Sequence, residues 1–289
     1  MRIGISTTDF KQTPSDELFG RITGLGFGVI QLGLAQLAES NFTKDGVFEI
    51  PDVIDGGLIR AARGAVRHGL HIAALSGTFN MSHPDADARR EGVRRFDALG
   101  GAAGEIGCDL VTLCTGTRSR KHLWAPHPEN GGEPAWSDMT DTLLRLVEIA
   151  ERRNLRMAIE TEASNVVDTP EKACLALDAA GSDRVGMIMD CANLFRPGEA
   201  KRADVDERIK SAFGLYGDRV MLAHGKDISE SEGVSFCATG EGIVNYDLFL
   251  ELLAEHKYAG DMVLHGIYDE GKMPCALEFM RVRMDALRS

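Results

Sequence analysis

The stretches Met157-Ala158-Ile159-Glu160, Val185-Gly186-Met187-Ile188-Met189-Asp190 and Val220-Met221-Leu222-Ala223-His224 decide how this chain folds. Each is a short apolar run that closes on an ionisable group. None alternates apolar with polar residues, as a strand with one wet face would. Five further runs of the same kind occur: Ile3 to Ser6, Val29 to Leu34, His71 to Ser76, Leu110 to Cys114 and Met262 to His265. The pattern predicts eight strands buried on both faces, which is the habit of parallel sheets.

Segments of helical period separate the runs. Met139, Leu143, Leu146, Val147 and Ala150 share one helix face, and so do Val93, Phe96, Ala103 and Ile106, although Gly100, Gly101 and Gly104 weaken the second helix. Asn245 is a good N-cap for a helix carrying Phe249, Leu252, Leu253 and His256 and stopping before Gly260. Eight alternations in 289 residues leave about 36 residues per unit, enough for a strand, a helix and two connections. The rival open sheet of dinucleotide-binding type wants G-x-G-x-x-G after strand one, where the chain reads Gly4-Ile5-Ser6-Thr7-Thr8. The expected architecture is therefore a (β/α)8 TIM barrel, α/β in class, with residues 1–289 forming a single domain.

Composition narrows the function. A chain with 44% hydrophobic and 26% charged residues is of ordinary globular type. Its 32 Lys and Arg against 44 Asp and Glu give a net charge of −12, which repels a phosphate backbone and argues against a nucleic-acid partner. Six cysteines at 108, 114, 174, 191, 237 and 275 show no C-x-x-C and no framework spacing, so they read as reduced thiols. No run reaches the roughly 18 apolar residues of a membrane span, and the opening Met-Arg-Ile-Gly-Ile-Ser is strand-like rather than a secretion signal. A cytoplasmic protein with no membrane partner is the expectation.

In barrels of this kind the reactive groups come from the C-terminal ends of the strands and the loops beyond. Strand five closes on Glu160, followed by Thr161-Glu162; strand six on Asp190, followed by Cys191-Ala192-Asn193; strand seven on His224, followed by Gly225-Lys226-Asp227; strand eight on His265. Two carboxylates and two imidazoles converging on one mouth suit a divalent metal, and this donor set fits Zn2+, Mn2+, Fe2+ or Co2+ better than Ca2+ or Mg2+. One such group alone would read as a rim cap. Four from consecutive strands favour Glu160, Asp190, His224 and His265 as metal ligands.

The order Glu160, Asp190, His224, with Lys226-Asp227 behind it and Gly240-Glu241-Gly242 and Tyr246 further on, resembles the xylose isomerase-like barrel superfamily. That superfamily holds sugar phosphate isomerases and epimerases and the endonuclease IV type of apurinic nuclease, and the resemblance spans essentially the whole chain. It implies one divalent ion held by Glu, Asp, His and a second Glu, with the two glutamates trading a substrate proton. Glu160, Asp190 and His224 match the first three positions. At the fourth the chain has His265 followed by Gly266, so an imidazole stands in for the carboxylate as ligand or proton carrier. Asn193 stands where several relatives carry a histidine, which speaks against a three-zinc nuclease centre. Glu162, two residues past Glu160, is a further candidate ligand or base, or only a loop anchor.

From Thr117 to Ser137 the chain shows no strand or helix pattern, and loops longer than about 12 to 15 residues usually carry function. Both tryptophans, Trp124 and Trp136, fall in it beside Arg118, Arg120, Lys121, His122 and His127. This positive cluster reads either as a clamp for an anionic substrate group or as a solvated loop pinned by two indoles. Asn80 and His83, in the segment after strand three, are candidate hydrogen-bond partners for substrate hydroxyls. Candidate substrate contacts are thus Asn80, His83, Arg118, Trp124, His127 and Asn193.

The resulting expectation is a metal-dependent isomerase or epimerase of a sugar or sugar acid, phosphorylated or not. It would abstract a proton and pass through a metal-stabilised enediolate. Glu160 is the expected base, His265 or Glu162 returns the proton, and Lys226 steadies negative charge. A metal-assisted lyase, dehydratase or hydrolase on the same barrel and a non-catalytic metabolite-binding barrel are the alternatives. Relatives commonly pair or form tetramers, so a homo-oligomer is compatible with this reading.

Overall fold

Eight parallel strands close into a ring in the computed structural model, which describes residues 1–34, 37, 46–52, 54 and 56–287. The barrel strands are β1 (Ile3–Ser6), β2 (Val29–Leu32), β3 (His71–Ser76), β4 (Leu110–Cys114), β5 (Arg156–Glu160), β6 (Val185–Asp190), β7 (Val220–Gly225) and, after a short hairpin of β8 (Asp227–Ile228) and β9 (Phe236–Cys237), β10 (Met262–Leu264). Their order around the ring follows the chain, and β1 pairs with β10 to close it through Ile3–Met262, Gly4–Val263 and Ile5–Leu264. The fold is a single-domain (β/α)8 TIM barrel, as the eight apolar runs predict. The hairpin escaped that reading because two residues per strand carry no period.

Helices α1 (Asp16–Gly24), α2 (Gly56–Arg67), α3 (Ala86–Ile106), α4 (Glu133–Arg153), α5 (Pro170–Ala180), α6 (Val205–Tyr216), α7 (Tyr246–Glu255) and α8 (Met273–Ala286) wrap the outside. The three glycines do not break α3. Two of the helix's glycines let it pack closely: a Cβ on Gly100 would sit 3.0 Å from Leu155 Cδ1, and one on Gly92 only 2.1 Å from the Phe79 ring. Close approach recovers what glycine costs in helix propensity. Asn245 caps α7 as expected, its side chain accepting the Leu248 amide at 3.2 Å. By contrast, α4 begins earlier than its apolar stripe. Pro134 occupies its first turn, where a missing N–H costs nothing, so Trp136 is helical and packs on the core rather than in a loop.

Most of the core lies between helices and strands. A second, smaller cluster of Ala74, Leu110, Ala158, Ile188, Leu222 and Val263 fills the barrel lumen. All six cysteines are free thiols. Among the described residues no helix is long and apolar enough to cross a membrane.

Candidate active site

Side-chain direction in a strand repeats every second residue. Ala158 and Glu160, Ile188 and Asp190, Leu222 and His224, and Val263 and His265 therefore face the same lumen in pairs, the apolar member below and the polar member above. The strands thus build a dry floor and set a polar layer on it. Above that layer is a cavity of about 480 Å³ whose lining includes Gln31, Glu160, Glu162, His224, Lys226 and His265.

Glu160, Asp190 and His224 each offer one ligand atom, and these atoms lie within 4.8 Å of one another. His224 Nδ1 is 2.9 Å from Glu160 Oε1 and 3.5 Å from Asp190 Oδ2. Its Nε2 faces Gln31 Oε1 at 2.9 Å, while the Gln31 amide donates to Ser76 Oγ and Thr112 Oγ1 at 3.1 and 3.3 Å. Asp190 Oδ1 accepts the Ala192 and Asn193 amides at 2.9 and 3.3 Å, but its buried Oδ2 has no hydrogen-bond partner. A buried carboxylate oxygen left unsatisfied is costly unless something positive meets it. Burial works against charge on His224, yet Glu160 and Asp190 outweigh it and raise the imidazole to about 9. Glu160 is likewise disfavoured by burial, but His224 and Lys226 hold it well below the usual carboxylate range. The pocket thus demands a positive charge at this point. Glu160, Asp190 and His224 could hold a divalent cation here in place of the imidazolium proton, with Gln31 Oε1 accepting from Nε2–H and leaving Nδ1 as the donor.

Lys226 is buried beside this group. Its Nζ donates to Asn193 Oδ1 at 2.8 Å, lies 4.0 Å from Asp190 Oδ2 and stands 3.6 Å above the Phe236 ring. Burial opposes its charge, but Asp190, Glu162 and Glu160 raise its pKa. Asn193 continues the chain by donating to Glu162 Oε1 at 3.0 Å. Burial pushes Glu162 up to about 7 against the pull of Lys226, with Glu160 and Asp190 adding to the rise. On the opposite wall burial likewise pushes Glu49 up to about 7, with the Trp124 side chain hydrogen-bonded to it.

The two short motifs behind His224 prove to be halves of one unit. Asp227 Oδ1 accepts the amides of Ile228 and Val244, and Oδ2 those of Gly240 and Gly242, at 2.9 to 3.0 Å. A Cβ on Gly242 would come within 2.2 Å of Asp227 Oδ1, and Tyr246 donates its hydroxyl to the Lys226 carbonyl at 2.8 Å. Asp227 is therefore an internal anion that shapes the loop after β7. It faces these amides and not the Glu160, Asp190 and His224 group.

Other expected site residues divide sharply. Trp124 and Asn193 line the cavity. Arg118 does not: its guanidinium binds Asp138 Oδ2 at 2.6 Å and the Ser82 carbonyl at 3.1 Å, so the expected anion clamp is an ion pair within the fold. Asn80 spends Oδ1 on the amides of Ser82 and Thr117. His83 accepts the Asp85 amide and His127 that of Glu129, each as a local cap. His265 lines the cavity but stands outside the three-ligand group, with Nδ1 2.9 Å from Asp9 Oδ1.

Three residues of the site escaped the sequence reading. Gln31 is the only polar side chain in the buried run Val29-Ile30-Gln31-Leu32, and a buried amide must find partners. Asp9 closes Ser6-Thr7-Thr8-Asp9 just past β1, at the mouth. Glu49 carries no comparable signal.

Solved structures share this architecture. An IolI protein with a bound zinc atom superposes with a TM-score of 0.70 at 17% identity, covering 99% of this chain and 97% of that one. D-psicose 3-epimerase of Clostridium cellulolyticum H10, solved with D-tagatose, gives 0.71 at 14% identity over 98% and 99%. A xylose isomerase-like TIM barrel protein of Mycobacterium smegmatis in complex with magnesium gives 0.73 at 16% over 99% and 97%. No curated protein matches the sequence. A family model described as xylose isomerase-like TIM barrel matches residues 22–282, and on that match over most of its length the chain belongs to this family.

Proposed function

We propose that the chain is a metal-dependent isomerase or epimerase of a sugar-like hydroxy-carbonyl compound. One observation carries the reading: ligand atoms of Glu160, Asp190 and His224 converge within 4.8 Å, one of them a buried carboxylate oxygen that lacks a hydrogen-bond partner, at the floor of a cavity of about 480 Å³. Those three residues would hold Mn2+, Zn2+, Co2+ or Fe2+. Bound there, such an ion polarises a carbonyl oxygen and offsets charge developing beside it.

The chain's own groups supply the rest. Gln31 fixes the His224 ring, and Lys226 adds a buried positive charge beside Asp190. Glu160, expected as the base, is engaged with His224, so the proton-carrying roles pass to the two cavity groups outside the ligand set, Glu162 and His265. Glu162 is steadied by Asn193; His265 is held through Nδ1 by Asp9, which leaves Nε2 for the substrate. Two proton carriers flanking one carbonyl carbon suit removal of a proton and its return at the same or the adjacent carbon.

The test is incubation of the Mn2+-loaded protein with a panel of ketoses and aldoses in D2O. The expected outcome is conversion to an isomer whose only mass change is the gain of deuterium at the carbon next to the carbonyl, abolished in Asp190→Asn. Conversion with loss of water moves the assignment to dehydration, and near-normal turnover of chelated Asp190→Asn removes the metal from the reaction.

A further inference from the structure

Building on that reading, we propose that the cavity takes an uncharged, unphosphorylated polyhydroxy carbonyl compound and discriminates against its phosphate esters. A phosphate is gripped in α/β proteins by free backbone amides at turns and helix N-termini, or by Arg and Lys side chains. Among the described residues at the ends of β1, β6, β7 and β10, the chain has already satisfied such donors with its own oxygens.

Past β6, Asp190 Oδ1 takes the amides of Ala192 and Asn193. Past β7, where barrels often place a phosphate, Asp227 takes four amides, those of Ile228, Gly240, Gly242 and Val244. Past β10, Asp9 takes the Ile267 amide at 2.8 Å and Asp269 that of Gly271 at 3.0 Å. Past β1, Ser6 Oγ takes the Thr8 amide. Four strand ends are thus filled by built-in oxygens, three of them by carboxylates.

The cationic side chains are committed in the same way. Among the described lining residues, Lys226 is spent on Asn193, Asp190 and Phe236, and His265 on Asp9. Of the positive loop's cations, Arg118 is bound to Asp138, and neither it nor Arg120 or Lys121 lines the cavity. An entering anion would meet Glu49, Glu160 and Glu162 instead. A divalent ion among Glu160 and Asp190 is balanced by those two carboxylates and leaves little attraction over for a remote phosphate.

What the wall does offer suits hydroxyl groups. Thr8, Ser76 and Thr112 present hydroxyls, carboxylates accept from sugar O–H groups, and the Trp124 and Tyr268 rings provide flat faces. Tyr268 is 69% exposed at the rim, free to cover a sugar ring.

The experiment is calorimetric titration of the full-length protein at buffered free Mn2+, with D-fructose and D-tagatose set against fructose 1-phosphate, fructose 6-phosphate and inorganic phosphate. The expected result is saturable binding of a free ketose, with both esters weaker by at least about tenfold and no binding of inorganic phosphate. An ester or inorganic phosphate that binds as tightly as the free sugars overturns the proposal, and so does failure of both free sugars to bind. This outcome separates from that of the isomerase reading. A free sugar that binds without conversion sinks that reading and keeps this one, whereas conversion of a phosphate ester in preference to its free sugar does the reverse.

Discussion

His265 Nδ1 stands 2.9 Å from Oδ1 of Asp9, and the other oxygen of that carboxylate accepts the Ile267 amide at 2.8 Å. Both oxygens of Asp9 therefore face donors, which places the ring proton on Nδ1 and leaves Nε2 to the cavity. In Asp9→Asn only one of the two atoms can still accept. Turnover of the converted sugar is expected to fall about a hundredfold with KM little changed, within the range general acid–base groups supply. Long-range 1H–15N spectra of the imidazoles should show the Nδ1–H tautomer in the wild type and a mixture in the variant. An unaltered spectrum and rate would remove Asp9 from this role.

In the proposed site Gln31 would act on the metal through the far side of His224. Leucine at this position keeps the volume but releases Nε2. Affinity for Mn2+ should drop by about 10- to 100-fold, the usual effect of losing a partner behind a ligating histidine. Competition titration with a chelating dye measures it, and an unchanged constant would count against Nδ1 of His224 as a donor.

A metal held by this trio would also bear on stability. Since Asp190 Oδ2 has no hydrogen-bond partner in the fold, Mn2+ at a hundredfold excess over its Kd should stabilise the wild type by about 2.7 kcal/mol. Asp190→Asn should gain little from the same addition. Urea unfolding with and without the ion reads the difference directly.

Glu49 predicts a pH slope in chelated protein. Burial raises it from 4.5 to about 7, so between these values the folded chain holds a proton that the unfolded chain has lost. Stability from this source is fully present below pH 4.5, falls as pH rises to about 7 and levels off above. Glu49→Gln lacks the effect, so its stability relative to wild type should improve by roughly 1 to 3 kcal/mol between pH 5 and pH 8. Parallel profiles for the two proteins would refute the assignment.

Gly92 tests packing rather than chemistry. A methyl group there would overlap the Phe79 ring, and the segment carrying Phe79 pairs with residues 47–49 at the cavity wall. Gly92→Ala should cost about 1 to 3 kcal/mol despite alanine's better helix propensity. A variant as stable as the wild type would mean that Phe79 has room to turn away.

The strands were readable because burial on both faces leaves continuous apolar runs, and their last residues marked Glu160, Asp190, His224 and His265 directly. Loop residues were a different matter. Arg118 looks like a ligand-binding arginine until Asp138, 20 positions along the chain and on α4, is seen to neutralise it. Nothing in local spacing reports such a pairing. The role of Asp227 is hidden for the same reason, since the four amides that surround it become neighbours only when the loop folds back on it. The glycines of α3 and the early start of α4 show the converse, tertiary packing and a proline turn overriding residue preference.

The pairing of β1 with β10 has a consequence for assembly. Asp9 lies just past the first stave of the ring and His265 just past the last, and they are separated by 256 positions, close to the whole length of the chain. A contact between segments so far apart is costly in loop-closure entropy. The ligand trio sits on the neighbouring strands β5 to β7, whereas the anchoring of His265 depends on the seam between β1 and β10. In the proposed enzyme, metal capture and proton relay would thus draw on different parts of the ring, the second on the place where its first and last staves meet.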